Sequence, residues 1–440
     1  MTRPLHPLTG LLTILTAFGA LVLGACGQEP STGPTPTAST AGPSSEPSTP
    51  ATTAPTPDEP TDAPAIPQGP AEVRAIWIHL FDDTLKTPAS VDAMVARAAD
   101  ANVNTLFVEV VRRQDAYYTS DVLPRTNDPS IARDFDMLAH VLQAAHARGL
   151  VVHAWYPVLQ TYHHRAYEGV PAPPGWIWTE HGPSAPEAQR WVTRKADGTW
   201  AEYLDPALPE VKGYVASAIA EIVERYPVDG IHLDYPRYDG PEYGFHPRAL
   251  EQFRADSGFA GTPVPTDPGF SQWRRDQATG LVQSIRAAVD AVDPNVPISA
   301  AVIAQRDGPT ANRPFSATRA YADYFQDWAG WIETGLLDVA VPMQYFEDAS
   351  HPTWFDEWTA FASTLAAQHD ALIVGGQGSW LNPADASLDQ IDEFRAARLD
   401  GISLYSYQQT QASGDPQGLL DLLKSGMWAE PAPVPSGMRR

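Results

Sequence analysis

Eight short apolar runs of strand type alternate with longer helical patterns along most of this chain, and that alternation leaves few folds open. The runs are VRAIWIH (73–79), NTLFVEV (104–110), LVVHAW (150–155), VDGIHLD (228–234), VPISAAVI (296–303), LDVAVPM (337–343), ALIVGG (371–376) and GISLYSY (401–407). Helical patterns fall between them at 90–101, 135–148, 209–226, 270–292, 321–334, 355–369 and 388–399, and a last one at 416–424 follows the final strand. Breakers stand where helices must stop, as in Arg148-Gly149 and Asp293-Pro294. Repeated strand–helix units build a parallel sheet, and eight of them in about 350 residues predict an α/β chain closed as a (β/α)8 TIM barrel. An open, doubly wound sheet is the rival, but no glycine-rich phosphate turn follows the first strand. A barrel places function at the C-terminal ends of its strands and in the loops beyond them.

The region ahead of the barrel carries an address. Residues 1–25 read as a signal peptide, with Arg3 in a short basic region followed by an apolar core. Leu23-Gly24-Ala25-Cys26 is similar to a bacterial lipobox, which implies cleavage before Cys26 and lipidation of its sulfur. The apolar core is shorter than the ~20 residues a spanning helix needs, which disfavours a transmembrane anchor. Residues 26–70 hold about a dozen prolines and almost no large apolar side chain, so they are expected to form a disordered tether. In a polyproline-like state, at ~3.1 Å per residue, it would reach on the order of 100 Å. The domain is expected over 71–428, with a disordered tail at 429–440. The expectation is an exported bacterial lipoprotein, anchored to the membrane and facing the cell wall or periplasm.

Composition removes other classes. Acidic residues number 53 against 29 basic, a net charge of −24, which repels a nucleic-acid backbone. Cys26 is the single cysteine, so no intrachain disulfide and no cysteine-based zinc site can form.

The strand ends hold the candidate chemistry. In the fourth strand Gly230, His232 and Asp234 share one face while Ile231 and Leu233 share the other, which turns Asp234 toward the barrel mouth as a carboxylate for catalysis. An ion pair with Arg237 is its structural alternative. Glu109 stands in an apolar second strand, where a carboxylate must be paired or used. The third strand ends His153-Ala154-Trp155, and the long loop after it carries Tyr162, His163, His164, Tyr167, Trp176, Trp178, Trp191 and Trp200. Some of these suit a sugar cleft and others a local core beneath the loop. Asp205 either caps the following helix or points into the cleft. Gln344, Tyr345 and Glu347 end the sixth strand, and Gln377, Trp380, Tyr405 and Tyr407 come from the seventh and eighth.

From about residue 72 to 407 the chain resembles the glycosyl-hydrolase-like family 10 domain of bacterial lipoproteins. The segments that carry the likeness are EVRAIWI, NVNTLFVEV with AYYTSDVLP, HARGLVVHAWYP, YLDPALPEVKGYV, ERYPVDGIHLDYPRY, WIETGLLDVAVPMQY and LIVGGQGSW. The resemblance implies a TIM barrel that hydrolyses O-glycosidic bonds, with some relatives acting on peptidoglycan glycan strands. It sets Asp234 on the family's strand-four aspartate and Asp205 on its Asp-Pro motif. Glu109 and Met343 stand where some relatives carry glutamine. The fourth strand is also similar to the chitinase motif Asp-Gly-x-Asp-x-Asp-x-Glu, but His232 and Pro236 replace its middle aspartate and its glutamate, so the chitinase acid is absent.

The resulting expectation is a cell-envelope glycosidase working by paired carboxylates, Asp234 with one of Asp205, Glu109 or Glu347. His153, Trp155, Tyr235, Arg237, Gln344, Tyr345 and Trp380 are the expected substrate-binding residues. Its substrate is a carbohydrate polymer, it touches a membrane only through the lipid on Cys26, it takes neither cofactor nor metal, and it acts as a monomer. The alternatives are a lipid-anchored glycan-binding protein without turnover and a metal-dependent hydrolase using His153, His232 and Asp234.

Overall fold

The structure, a computed structural model, describes residues 69–162, 170–408 and 418–439. The signal peptide, Cys26, nearly all of the tether, His163, His164 and Tyr167 lie outside the described residues.

In chain order the elements are β1 (Val73–Ile78), α1 (Pro88–Asp100), β2 (Thr105–Glu109), α2 (Met137–His146), β3 (Val151–Pro157), α3 (Ile177–His181), β4 (Val192–Arg194), β5 (Trp200–Leu204), α4 (Pro209–Arg225), β6 (Gly230–Asp234), α5 (Pro247–Ser257), α6 (Pro268–Val292), β7 (Ile298–Ile303), α7 (Arg319–Ala322), α8 (Trp328–Glu333), β8 (Val339–Gln344), α9 (Trp354–Gln368), β9 (Leu372–Gly378), α10 (Ala384–Ala396), β10 (Gly401–Tyr405) and α11 (Gly418–Ser425). Eight strands close in the order β1-β10-β9-β8-β7-β6-β3-β2, all neighbours parallel, which is the expected (β/α)8 barrel. The extra pair, β4 and β5, forms an antiparallel ribbon inside the loop after β3.

Local chemistry sets the helix ends. Thr87 and Ser90 form a capping box at α1 with Pro88 in the first turn, and Asp267 caps α6 by accepting from the Phe270 N–H. Gly149, at φ 73°, follows α2 where the left-handed turn suits glycine. The helical pattern expected over 321–334 divides into α7 and α8. Phe325 takes φ 53° between them, Gln326 accepts the Ile303 N–H at the end of β7, and Asp327 then caps α8. The loop between β6 and α6 holds α5, for which no helix was expected.

Strand alternation separates two cores. Ile76, Ile78, Leu106, Val108, Ile231 and Leu233 face the helices, whereas Ala75, Trp77, Phe107, Val151, Trp155, Val339, Val341 and Val374 fill the barrel. One interior layer is set by the register Trp77, Phe107, His153, Gly230 across β1, β2, β3 and β6. A Cβ on Gly230 would stand 2.5 Å from the His153 ring, so this position must be glycine for the imidazole to lie across it.

The C-terminal segment corrects an expectation. Residues 429–439 are not a disordered tail. Pro433 O accepts the Glu72 N–H, Asn104 donates to Ala432 O, Arg74 donates to Glu430 O, and Met438 is fully buried in the interior cluster at the strand starts. Apolar burial and these hydrogen bonds, formed more than 300 residues apart in sequence for Asn104 and Arg74, hold the segment as a plug in the N-terminal end of the barrel.

Candidate active site

At the C-terminal end of the barrel the inward alternation brings two carboxyl groups together. Asp234, the last residue of β6, is 7% exposed, and Glu109, the last of β2, is 3% exposed. Asp234 Oδ2 accepts from the Trp155 indole at 3.2 Å and its Oδ1 from the Tyr235 N–H at 2.8 Å. Glu109 Oε2 accepts from the Leu80 N–H at 2.6 Å and stands 4.0 Å from Arg112 Nη1.

Burial is the main force on both groups, because a low-dielectric wall penalises the ionised form. It lifts Asp234 from 3.8 to about 6, against the opposing pull of Arg237, the Tyr235 N–H and the Trp155 indole. It also raises Glu109, where Arg112 and the Leu80 N–H pull downward and the charge of Asp234 pushes upward. The two carboxyls thus feel one another. Arg237 is itself paired with Asp239 at 3.1 Å and lies over the Tyr235 ring at 4.3 Å. Tyr235 takes φ 56°, a strained conformation for a residue with a side chain, and its N–H there reaches the Asp234 carboxyl.

Aromatic rings wall the site. Tyr345 packs against Trp380 at 5.0 Å and Tyr405 at 5.4 Å, Trp380 meets Tyr405 at 5.5 Å, and Trp155 meets Tyr405 at 6.4 Å. Trp77 lies edge-on beneath Tyr345 at 6.4 Å. Of the expected residues, then, Asp234, Glu109, Trp155, Tyr235, Arg237, Tyr345 and Trp380 come together here.

Four do not. Asp205 is fully buried in an Asx turn, its Oδ1 accepting from the Ala207 N–H at 3.0 Å and the Tyr238 hydroxyl at 3.3 Å. It shapes the approach to α4, although Leu208 rather than Asp205 is the N-cap residue. Glu347 is exposed on the rim, accepting from the Ser350 hydroxyl at 2.6 Å. Gln344 alternates outward, and its Oε1 meets the Thr359 hydroxyl of α9 at 3.2 Å, so it stands in the helix layer.

His153 is fully buried inside the barrel, two residues before Trp155 along β3. Its Nε2 is 3.1 Å from Met438 O and its Nδ1 is 2.8 Å from Ser299 Oγ, which in turn lies 2.8 Å from His232 Nδ1. The Trp77 indole donates to His232 Nε2 at 2.9 Å. Every ring nitrogen of both histidines is engaged, and burial holds His153 down at about 4 and His232 well below its ordinary value, so both are neutral. The metal set of His153, His232 and Asp234 is therefore not assembled.

The loop aromatics behave mostly as a local core. Tyr162 stacks with Trp178 at 5.1 Å, Trp176 donates to Arg113 O at 2.7 Å, Trp191 stacks on His181 at 3.8 Å, and Trp200 meets His246 at 5.4 Å. Sequence reasoning left out Trp77, His79 and Phe81. The same alternation that found Asp234 runs through Trp77 and His79 at the end of the first strand and would have found both.

Residues 72–371 match the family described as Glycosyl hydrolase-like 10. Glycosyl hydrolase YngK of Bacillus subtilis (strain 168) is 24% identical over 405 residues, covering 84% of this chain and 74% of that protein. Glycosyl hydrolase DigH of Escherichia coli (strain K12) is 27% identical over 259 residues, covering 56% of this chain and 55% of that one, so the match spans about half of its length. The glycoside hydrolase domain of PgaB (BpsB) from Bordetella bronchiseptica superposes with a TM-score of 0.55 at 16% identity, over 80% of this chain and 99% of that domain. The catalytic domain of β-amylase from Paenibacillus polymyxa gives 0.54 at 14%, over 81% and 100%. These two share the fold. The sequence match covers the strands that carry both carboxyls and most of the barrel around them, and the chain belongs to the Glycosyl hydrolase-like 10 family.

Proposed function

We propose that this chain is a cell-envelope glycosidase that cleaves O-glycosidic bonds within the glycan strands of peptidoglycan, with Asp234 and Glu109 as its paired carboxyls. The observation that carries the reading is the pair itself: two buried carboxyls at the C-terminal end of the barrel, both with raised pKa, walled by Trp155, Tyr345, Trp380 and Tyr405. Family membership supports the reaction class, and the lipobox-like Cys26 with its proline-rich tether supports the envelope. The likeness of the sequence motifs to lipoprotein relatives supports the glycan strand.

Asp234 holds its proton up to a pH of about 6, and its nearest cation is already paired with Asp239. It is the general acid, giving that proton to the leaving glycosidic oxygen as the C–O bond breaks. Glu109, facing Arg112, is the carboxylate that meets the positive charge developing at the sugar. Water then supplies the hydroxyl at the sugar carbon, and its remaining proton returns to the Asp234 carboxylate, which restores the acid.

The test is mass spectrometry of products after the purified protein meets peptidoglycan glycan strands bearing or lacking stem peptides. Oligosaccharides should appear with the wild type, and at rates lower by about 10²–10⁴ with Asp234→Asn or Glu109→Gln. A folded wild type that releases nothing from either substrate sinks the proposal and leaves the non-catalytic glycan-binding protein in its place.

A further inference from the structure

Among the described residues, every phenylalanine, tyrosine and tryptophan but one is buried or half-buried. Phe81 is 56% exposed, and among the described residues it is the one aromatic side chain that stands more than half in solvent. Single exposed apolar residues are ordinary on protein surfaces, so exposure alone says little. Its position says more. Leu80, the preceding residue, supplies the N–H that holds Glu109. The Arg112 guanidinium that faces Glu109 also lies over the Phe81 ring, its Cζ 3.3 Å from the centroid. The His79 ring meets Phe81 at 4.8 Å and Tyr405 at 6.3 Å, and its Nδ1 accepts the Phe81 N–H at 3.2 Å.

Phe81 is thus a ring covered on one face by a cation and met at a steep angle by an imidazole, with more than half of it in water. From it a line of rings runs through His79 and Tyr405 to Tyr345 and Trp380, and so to the carboxyls. An arginine stacked on one face of a phenyl ring also restrains its rotamers, which lowers the entropy lost when a ligand covers the other face. A pyranose presents a C–H face of matching size, and an aromatic plane that keeps water off it binds without regard to hydroxyl pattern.

We propose that Phe81 is a stacking platform for a sugar ring of the chain beyond the bond that is cleaved, on the Glu109 side of the mouth, so that the site takes an extended glycan in preference to a disaccharide. The inference rests on the proposed glycosidase reading and adds to it a subsite and a length preference. A platform of this kind acts on binding. Phe81→Ala therefore weakens long strands, whereas Phe81→Trp, which keeps an aromatic face, does not.

The test uses the full chain carrying Asp234→Asn, so that no ligand is consumed, and peptide-free glycan strands graded by length from the disaccharide upward, with affinities from calorimetry. Adding Phe81→Ala should weaken the longer strands about tenfold, leave the disaccharide unchanged, and be reversed by Phe81→Trp. Thermal unfolding should be the same in all three proteins, since the ring is largely exposed. Equal affinities with and without the phenyl ring at every length overturn the platform while leaving the glycosidase reading intact. A parent variant that is folded and binds no glycan of any length overturns both.

Discussion

At the mouth of the barrel Asp234 and Glu109 are buried with one carboxyl raising the other, whereas toward its N-terminal end His232 and His153 are buried with every nitrogen hydrogen-bonded. Both ends place titratable groups in low dielectric, and burial favours the neutral form at each. The difference lies in what satisfies that form. The histidines pass hydrogen bonds along a closed line from Trp77 to Met438 O and need nothing further. The carboxyls are held by amides, an indole and nearby guanidinium groups, donors that suit the anion, while burial favours the acid. Those opposing demands leave Asp234 near a pKa of about 6. A group kept between two protonation states can move a proton, and a group with all its partners in place can only hold structure.

Activity gives the largest expected effect. Asp234→Asn keeps the shape and removes the proton, so turnover should fall by about 10²–10⁴. In the wild type, activity should decline as pH rises through about 6, where Asp234 ionises. A pH–rate profile that stays flat from acid to neutral would take the acid role away from Asp234. By contrast, variants of the histidine line should leave the position of that limb unchanged.

Next in size is the plug. Removing residues 429–440 exposes the cavity that Met438 fills and takes the acceptor from His153 Nε2. Loss of one buried methionine and of the buried hydrogen bonds that His153 and Asn104 make to the segment should lower stability by about 4 kcal/mol or more, measured by denaturant unfolding. With water admitted, the His153 pKa should climb from about 4 toward the ordinary 6.5, followed by NMR titration. An unchanged midpoint would mean that the segment rests on the barrel without sealing it.

The two ends also titrate with opposite sign over nearly the same range. Between 6 and 3.8, falling pH lets the folded protein take up the Asp234 proton before the unfolded chain does, so the fold gains. Between 6.5 and about 4, the unfolded chain protonates its histidine while buried His153 cannot, so the fold loses. Each effect approaches about 3 kcal/mol across its range. Relative to wild type, Asp234→Asn should therefore be stabilised at neutral pH by up to about 3 kcal/mol, with the gain gone near pH 4. The penalty of His153→Phe should instead be greatest at neutral pH and shrink on acidification. Difference curves of the same slope would refute the contrast between the two ends.

Much of the mouth was legible in the sequence, because period-two alternation is a local property. It turned Asp234 toward the mouth and set Glu109 off the apolar face of its strand, and applied to the sixth strand it would have sent Tyr345 inward and Gln344 outward. The N-terminal end was not legible. His153 shares a strand face with Trp155, and although its place two residues earlier in the strand sets it deeper, the partners that wait there are not written in the strand itself. What makes His153 structural is Ser299 and Met438, 146 and 285 residues away in sequence. The proline-rich stretch that ends in Met438 has the composition of a loose tail, and only the barrel that receives it makes it otherwise. Asp205 was ambiguous for a similar reason, its role being fixed by Tyr238 across the loop.

The smallest effect tests the direction of the histidine line. An indole N–H can only donate and a carbonyl can only accept, so the two ends of the line fix everything between them. His232 must accept at Nε2 from Trp77 and carry its proton on Nδ1, giving it to Ser299 Oγ at 2.8 Å. The Ser299 hydroxyl then donates to His153 Nδ1 at 2.8 Å, with Ile231 O at 3.0 Å as its competitor, and His153 carries its proton on Nε2 toward Met438 O. The two imidazoles are therefore opposite tautomers, a difference that ¹⁵N chemical shifts report directly. Ser299→Ala strands a donor on His232 and an acceptor on His153, and should lower stability by about 2 kcal/mol. Both tautomers should survive it, since Met438 O still requires the proton on His153 Nε2 and Trp77 still requires a bare His232 Nε2. Identical tautomers in the wild type would break the line at Ser299 and make the hydroxyl's bond to Ile231 the dominant one.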